Sequence, residues 1–121
     1  MKKILIIEDD VFLQGLEATK LTKSGYEIIA AKTGMEALEK IYTPNIDLVL
    51  LDMILPDHDG FEILEKMQGD EKLNHIPVLV FSNLSEEEDV VRAKKLGAAD
   101  FMVKSNFTLD ELVEHIRTII K

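Results

Sequence analysis

Leu48-Val49-Leu50-Leu51-Asp52-Met53-Ile54-Leu55-Pro56-Asp57-His58-Asp59-Gly60 decides how this chain folds. The uninterrupted apolar run reads as the end of a strand buried on both faces, and the stretch rich in proline, aspartate and glycine reads as a turn. Asp52 thus stands at the carboxyl end of a central strand, where open α/β sheets bind their ligands. Ile4-Leu5-Ile6-Ile7 ends likewise in acids, Glu8-Asp9-Asp10. If the two strands are parallel neighbours, these carboxylates share one crevice and need a cation to stay ionised together. Lys104, after a late strand, completes the group.

Outward from that stretch, apolar runs of strand length alternate with amphipathic stretches five times, the pattern of βα units around a parallel sheet. Strands are expected near residues 3–7, 26–30, 47–51, 77–81 and 100–103. Helices are expected over roughly 11–23, 34–42, 60–68, 86–96 and 109–120. Three helix starts carry the capping-box pattern: Thr33 with Glu36, Ser85 with Glu88, and Thr108 with Glu111. Leu109, Leu112, Val113, Ile116 and Ile120 give the last helix an apolar face. Leu38, Ile41 and Tyr42 do the same for the second. Gly25 and Gly97 stand where a left-handed residue ends a helix.

The chain has 121 residues, 46% of them apolar, which suits one compact domain over residues 1–121. Its 14 basic and 23 acidic residues leave a net charge of −9, against the electrostatic footprint of direct nucleic-acid binding. Without cysteine there is no disulfide framework, zinc-thiolate site or thiol nucleophile, and a reducing cytoplasm fits. The apolar run after Met1-Lys2-Lys3 is cut by three acids and is too short for a signal or membrane-spanning segment, so the chain is expected to be soluble.

Magnesium takes oxygen ligands and is commonly held by one or two carboxylates together with phosphate oxygens. Glu8, Asp9 and Asp52 meet that requirement. An aspartate beside such an ion can attack phosphorus, because the cation screens its charge from the incoming phosphoryl group; the product is an acyl phosphate. Ser82, after Val78-Leu79-Val80-Phe81, and Lys104, after Phe101-Met102-Val103, stand at strand ends suited to charge-assisted contacts with phosphoryl oxygens. Asp10 reads better as a helix cap than as a ligand. Asp57, His58 and Asp59 read as a solvated loop, and His75 and His115 as exposed residues outside the cluster.

Taken together, the acid pair after strand one, the Asp52-Met53-Ile54-Leu55-Pro56 pattern leading to Asp59-Gly60, the hydroxyl after strand four and the lysine after strand five resemble a receiver domain of two-component response regulators, chemotaxis-receiver-like, over essentially the whole chain. The resemblance implies a flavodoxin-like, doubly wound (βα)5 fold with strand order 2-1-3-4-5. It implies that Asp52 accepts phosphate from a sensor histidine kinase or histidine phosphotransfer protein. It further implies that Asp9 ligates Mg2+, that Glu8 acts on the ion largely through water, and that the Ile54 backbone carbonyl supplies another oxygen. Ser82 and Lys104 would bond the phosphoryl group, and Phe101 would be an aromatic switch following Ser82. Such a chain is a switch that promotes its own phosphoryl transfer and slow dephosphorylation, not an enzyme turning over a separate substrate. It would act as a stand-alone receiver or together with an output domain or a second receiver.

The departures from the family are informative. Ser105 replaces the usual proline after Lys104, and a cis bond before a non-proline residue costs about 2.5–4 kcal/mol. Asn83 stands where a very small residue is typical. Ile54 and Leu84 occupy positions that flank the attacking water during dephosphorylation, and both are apolar. Two other classes fit the sequence less well. A magnesium phosphohydrolase typically carries a second Asp two residues after the first, where this chain has Ile54. A flavin- or nucleotide-binding module would need a glycine-rich phosphate loop after the first strand, where Glu8-Asp9-Asp10 would repel phosphate.

Overall fold

The computed structural model describes all residues 1–121. In chain order the elements are β1 (Lys3–Ile7), α1 (Val11–Lys23), β2 (Glu27–Ala31), α2 (Gly34–Lys40), β3 (Leu48–Leu51), α3 (Gly60–Gly69), β4 (Val78–Ser82), α4 (Glu87–Lys95), β5 (Asp100–Val103) and α5 (Leu109–Ile119), with a 3-10 turn at Lys104–Asn106. All strand pairs are parallel, and the order across the sheet is β2-β1-β3-β4-β5. This is the flavodoxin-like arrangement that the family resemblance implies. No helix is long and apolar enough to cross a membrane.

Period-two side-chain alternation divides the apolar strand residues between two cores. Leu5, Ile7, Val49, Leu51, Val78 and Val80 pack with Ala37, Ile41, Phe61, Leu64, Met67 and Ala93 beneath α2, α3 and α4. Ile4, Ile6, Leu48, Leu50, Leu79, Phe81 and Met102 pack with Leu21, Leu112, Val113 and Ile116 beneath α1 and α5. Both faces of β1, β3 and β4 are therefore covered, which is why these strands read as continuous apolar runs.

Several local expectations are corrected. Strands two, three and four begin one residue later than read. Helix α2 stops at Lys40 because Pro44 disfavours helical backbone at Thr43. Tyr42 therefore leaves the core face and is exposed, its hydroxyl donating to Asp70 at 2.6 Å. Ser85 caps nothing: α4 begins after Glu86 with no side-chain cap, its first turn carrying Glu87, Glu88 and Asp89 beside the positive end of the helix. Thr33 accepts from the Glu36 amide, but the Glu36 carboxylate reaches the Lys32 amide, so that box is half formed. Thr108 and Glu111 close a full box, and so, unanticipated, do Asp59 and Glu62. Gly25 and Gly97 have φ of 99° and 100° in the left-handed region.

The loop between β3 and α3 folds back tightly. Ile54 and Asp59 form an isolated antiparallel bridge, and the Gly60 amide donates to the Met53 carbonyl at 3.0 Å. A Cβ on Gly60 would lie 2.5 Å from the Met53 Cα, a backbone atom next to Asp52. Gly60→Ala is therefore expected to destabilise the fold by about 1–3 kcal/mol. Gly15→Ala, with open space around the new methyl, should instead stabilise by up to about 1 kcal/mol through helix propensity. Urea denaturation of both variants checks the contrast; a neutral Gly60→Ala would show that the loop yields.

Candidate functional site

The sheet ladder fixes the positions of the acids. The Asp52 amide donates to the Ile7 carbonyl and the Glu8 amide to the Ala31 carbonyl, each at 3.0 Å, so both residues leave adjacent strands at the same edge. Both are buried, at 5% and 2% exposure, whereas Asp9 faces solvent. Carboxylate oxygens of Glu8, Asp9 and Asp52 lie within 4.8 Å of one another. An all-oxygen set this close suits a hard divalent cation.

Around Asp52 the donors converge. Ser82, the last residue of β4 and fully buried, donates from Oγ to Asp52 Oδ1 at 2.7 Å. The Ile54 amide donates to the same oxygen at 3.0 Å. Lys104 Nζ donates to Asp52 Oδ2 at 2.7 Å and pairs with Glu8 as well. Burial pushes the Glu8 carboxyl up to about 7, with the Lys104 bond opposing. Burial alone would lower Lys104, but its bonds to Asp52 and Glu8 prevail and raise it. Lys104 is held in this position by the 3-10 turn, with every peptide bond trans at Ser105 and elsewhere.

The remaining sequence candidates fall near or away from this centre. Phe101 is half-buried on β5 and packs against the core beneath α2, α3 and α4. Ile54 is 54% exposed, Leu84 is half-buried, and both line one open cleft of about 550 Å³ between the β3–α3 loop and α4. Asn83 is exposed. Asp10 caps α1, accepting from the Leu13 amide at 3.1 Å. In the segment Asp57–Asp59 both aspartates are exposed, as expected of a solvated loop, and the segment is also tied to the helices beside it. Asp57 accepts from the Gly34 and Met35 amides at 2.6 and 3.0 Å, which lowers its carboxyl and supplies acceptors for the free amides that open α2. His58 packs on Gly34, and Asp59 caps α3. His75 is exposed as expected; His115 is half-buried and pairs with Asp100 at 2.8 Å.

Two polar residues of α1 escaped the sequence reading. Gln14 is buried and its amide donates to the carbonyls of Glu8 and Ala31, at 3.0 and 3.1 Å, fastening β1 to β2 beside the acids. Glu17, one turn further, is 1% exposed. The available signal was spacing: Gln14 and Glu17 share a helical face with Leu21, a core residue.

The response regulator receiver domain model matches residues 4–117. The alkaline phosphatase synthesis transcriptional regulatory protein PhoP of Bacillus subtilis is 35% identical over 99% of this chain and 49% of its own length. The DNA-binding dual master transcriptional regulator RpaA of Synechocystis is 31% identical over 100% of this chain and 50% of its own. The chain thus spans about half the length of these curated relatives. Among solved structures, the non-phosphorylated HemR receiver domain of Leptospira biflexa superposes with a TM-score of 0.90 at 35% identity, covering 100% of this chain and 95% of that one. A CheY-like receiver domain protein of Methanospirillum hungatei gives 0.90 at 30%, covering 98% and 92%. With a family model spanning nearly the whole sequence and a shared strand order, the chain belongs to the receiver domains of two-component response regulators.

Proposed function

We propose that this receiver accepts a phosphoryl group on Asp52, with Mg2+, from a sensor histidine kinase or histidine phosphotransfer protein in the cytoplasm. The observation that carries the reading is the convergence of Ser82, Lys104 and the Ile54 amide on one buried carboxylate. In the transfer an Asp52 carboxylate oxygen forms a bond to phosphorus while the bond from phosphorus to the donor's imidazole nitrogen breaks, its electron pair leaving with the nitrogen. Glu8, Asp9, Asp52 and the Ile54 carbonyl would hold the ion, which when bound supplies charge neutralisation for the phosphoryl oxygens. Lys104 exchanges an Asp52 carboxylate oxygen for a phosphoryl oxygen, and the Ser82 hydroxyl donates to another.

The same two residues carry the switch. Ser82 moves toward the phosphoryl group, Phe101 follows into the space released, and the surface formed by α4, β5 and α5 is altered. A partner, an output domain or a second receiver reads that surface. The relatives are named as transcriptional regulators, and the net charge of −9 leaves any DNA contact to another domain. A phosphohydrolase is disfavoured by Ile54, which has no acid to protonate a leaving group.

Incubation with Mg2+ and a small acyl or amido phosphate should add one phosphoryl group, mapped to Asp52 by mass spectrometry. Asp52→Asn should remove it and Asp9→Ala should abolish the magnesium-dependent phosphorylation; an undiminished label in Asp52→Asn overturns the assignment. A beryllofluoride adduct at Asp52 should shift amide resonances mainly in residues 82–105 and α5, and shifts confined to residues 52–60 would exclude the switch. Hydrolysis should be slow, because Ile54 and Leu84 offer an attacking water no hydrogen bond. Ile54→Asn with Leu84→Glu is expected to speed phosphate release by about tenfold or more, roughly 1.4 kcal/mol in the barrier. Equal rates after donor removal would show that these side chains do not control the water.

A further inference from the structure

Glu17 holds the one buried side-chain oxygen without a hydrogen-bond partner, Oε1. Its side chain lies beneath α1, one turn beyond the Gln14 amide that fastens the backbone of Glu8. An ionised carboxylate without donors at this depth carries the full desolvation cost, so the neutral acid is the favoured form. The charges that act on it come mainly from the strand ends, with Glu8 foremost. Glu8 stands at the end of β1, Asp52 at the end of β3, Asp10 at the cap of α1 and Lys104 beyond β5. From α5, Asp110 is already paired with Lys20, and the charged residue of β2, Glu27, lies at the far end of the sheet beside Lys3.

We propose that Glu17 is a proton-holding residue that ties the cation affinity of the Asp52 site to solution pH: neutral beside the bare carboxylates, it gives up its proton as a divalent cation joins Glu8, Asp9 and Asp52. It touches no reacting atom and acts through the field at the site. The inference rests on the magnesium reading above. Burial, with Glu8 next, pushes the Glu17 carboxyl from 4.5 up to about 8. A nearby cation favours the carboxylate and brings it down again. Between the two values each ion bound displaces a Glu17 proton, and affinity rises with pH until about pH 8. For folding the sign is opposite. The group's pKa is raised in the folded chain, so its contribution to stability is complete below about pH 4.5 and is lost as pH climbs through about 8.

Glu17→Gln keeps the shape and removes the proton. Magnesium titration calorimetry at pH 7.5 in two buffers of different ionisation enthalpy should show wild type releasing more protons per ion than the variant, by up to about three quarters of a proton. Above pH 8 the metal-free variant should melt higher than wild type. The protonated-carboxyl infrared band of metal-free wild type, followed through pH, needs no variant and should fade near pH 8, with the part missing from Glu17→Gln spectra belonging to this residue. Equal proton release from two proteins that both bind magnesium overturns the coupling alone. No magnesium binding by either protein overturns the coupling and the reading beneath it. Absence of the band difference at neutral pH overturns the proton-holding state itself.

Discussion

Lys104 joins what the sheet brings together. The parallel pairing of β1 with β3 delivers two buried carboxylates, Glu8 and Asp52, to neighbouring strand ends, and such a pair is strongly unfavourable without a counter-charge. The Lys104 ammonium, arriving from β5 with β4 between, lies against both. A lysine can do this because its long apolar stem crosses the strand end while the charged head reaches the acids. The fold of the last third of the chain, from β4 through the 3-10 turn, thereby acquires a direct electrostatic link to the first strand. A ligand that draws Asp52 or Glu8 away from Lys104 must alter that link.

Ser82 makes the link mechanical as well as electrostatic. Its hydroxyl lies between Asp52 Oδ1, to which it donates, and the Leu84 amide, from which it accepts at 3.3 Å. Whatever occupies the Asp52 oxygen therefore competes for the hydroxyl that also orders the start of the β4–α4 loop. Core packing transmits rather than absorbs such displacements, since close-packed interiors compress little.

The legible parts of this chain were those whose signal is local and repeated. β3 and β4 are buried on both faces and announce themselves as apolar runs, and the acids and Lys104 follow strand ends, so residue type and position together carried the crevice. Tyr42 was misread because periodicity continues past the point where Pro44 ends the helix. The anchoring role of exposed Asp57 was not legible because its partners, the Gly34 and Met35 amides, are remote in sequence and nothing in the turn itself names them. Gln14 and Glu17 were missed for a related reason: polar residues on a core face become visible only when that face is known. The Ser85 cap failed because α4 begins one residue later, after Glu86, so the hydroxyl does not stand at the helix start.

The two flanks of the Asp52 loop are anchored unequally. On one side Asp57 grips the opening of α2, His58 rests on Gly34, and α3 begins with a complete capping box. On the other, α4 starts without a side-chain cap and buries one residue, Ala93. Elements with few buried contacts open at the lowest free energy. The two flanks thus differ in how many buried groups and caps hold them, although Arg92 of α4 stacks over the Phe61 ring of α3. Were the proposed phosphorylation of Asp52 to disturb the strand ends, the lighter fastening of α4 would make it the flank that moves at least cost.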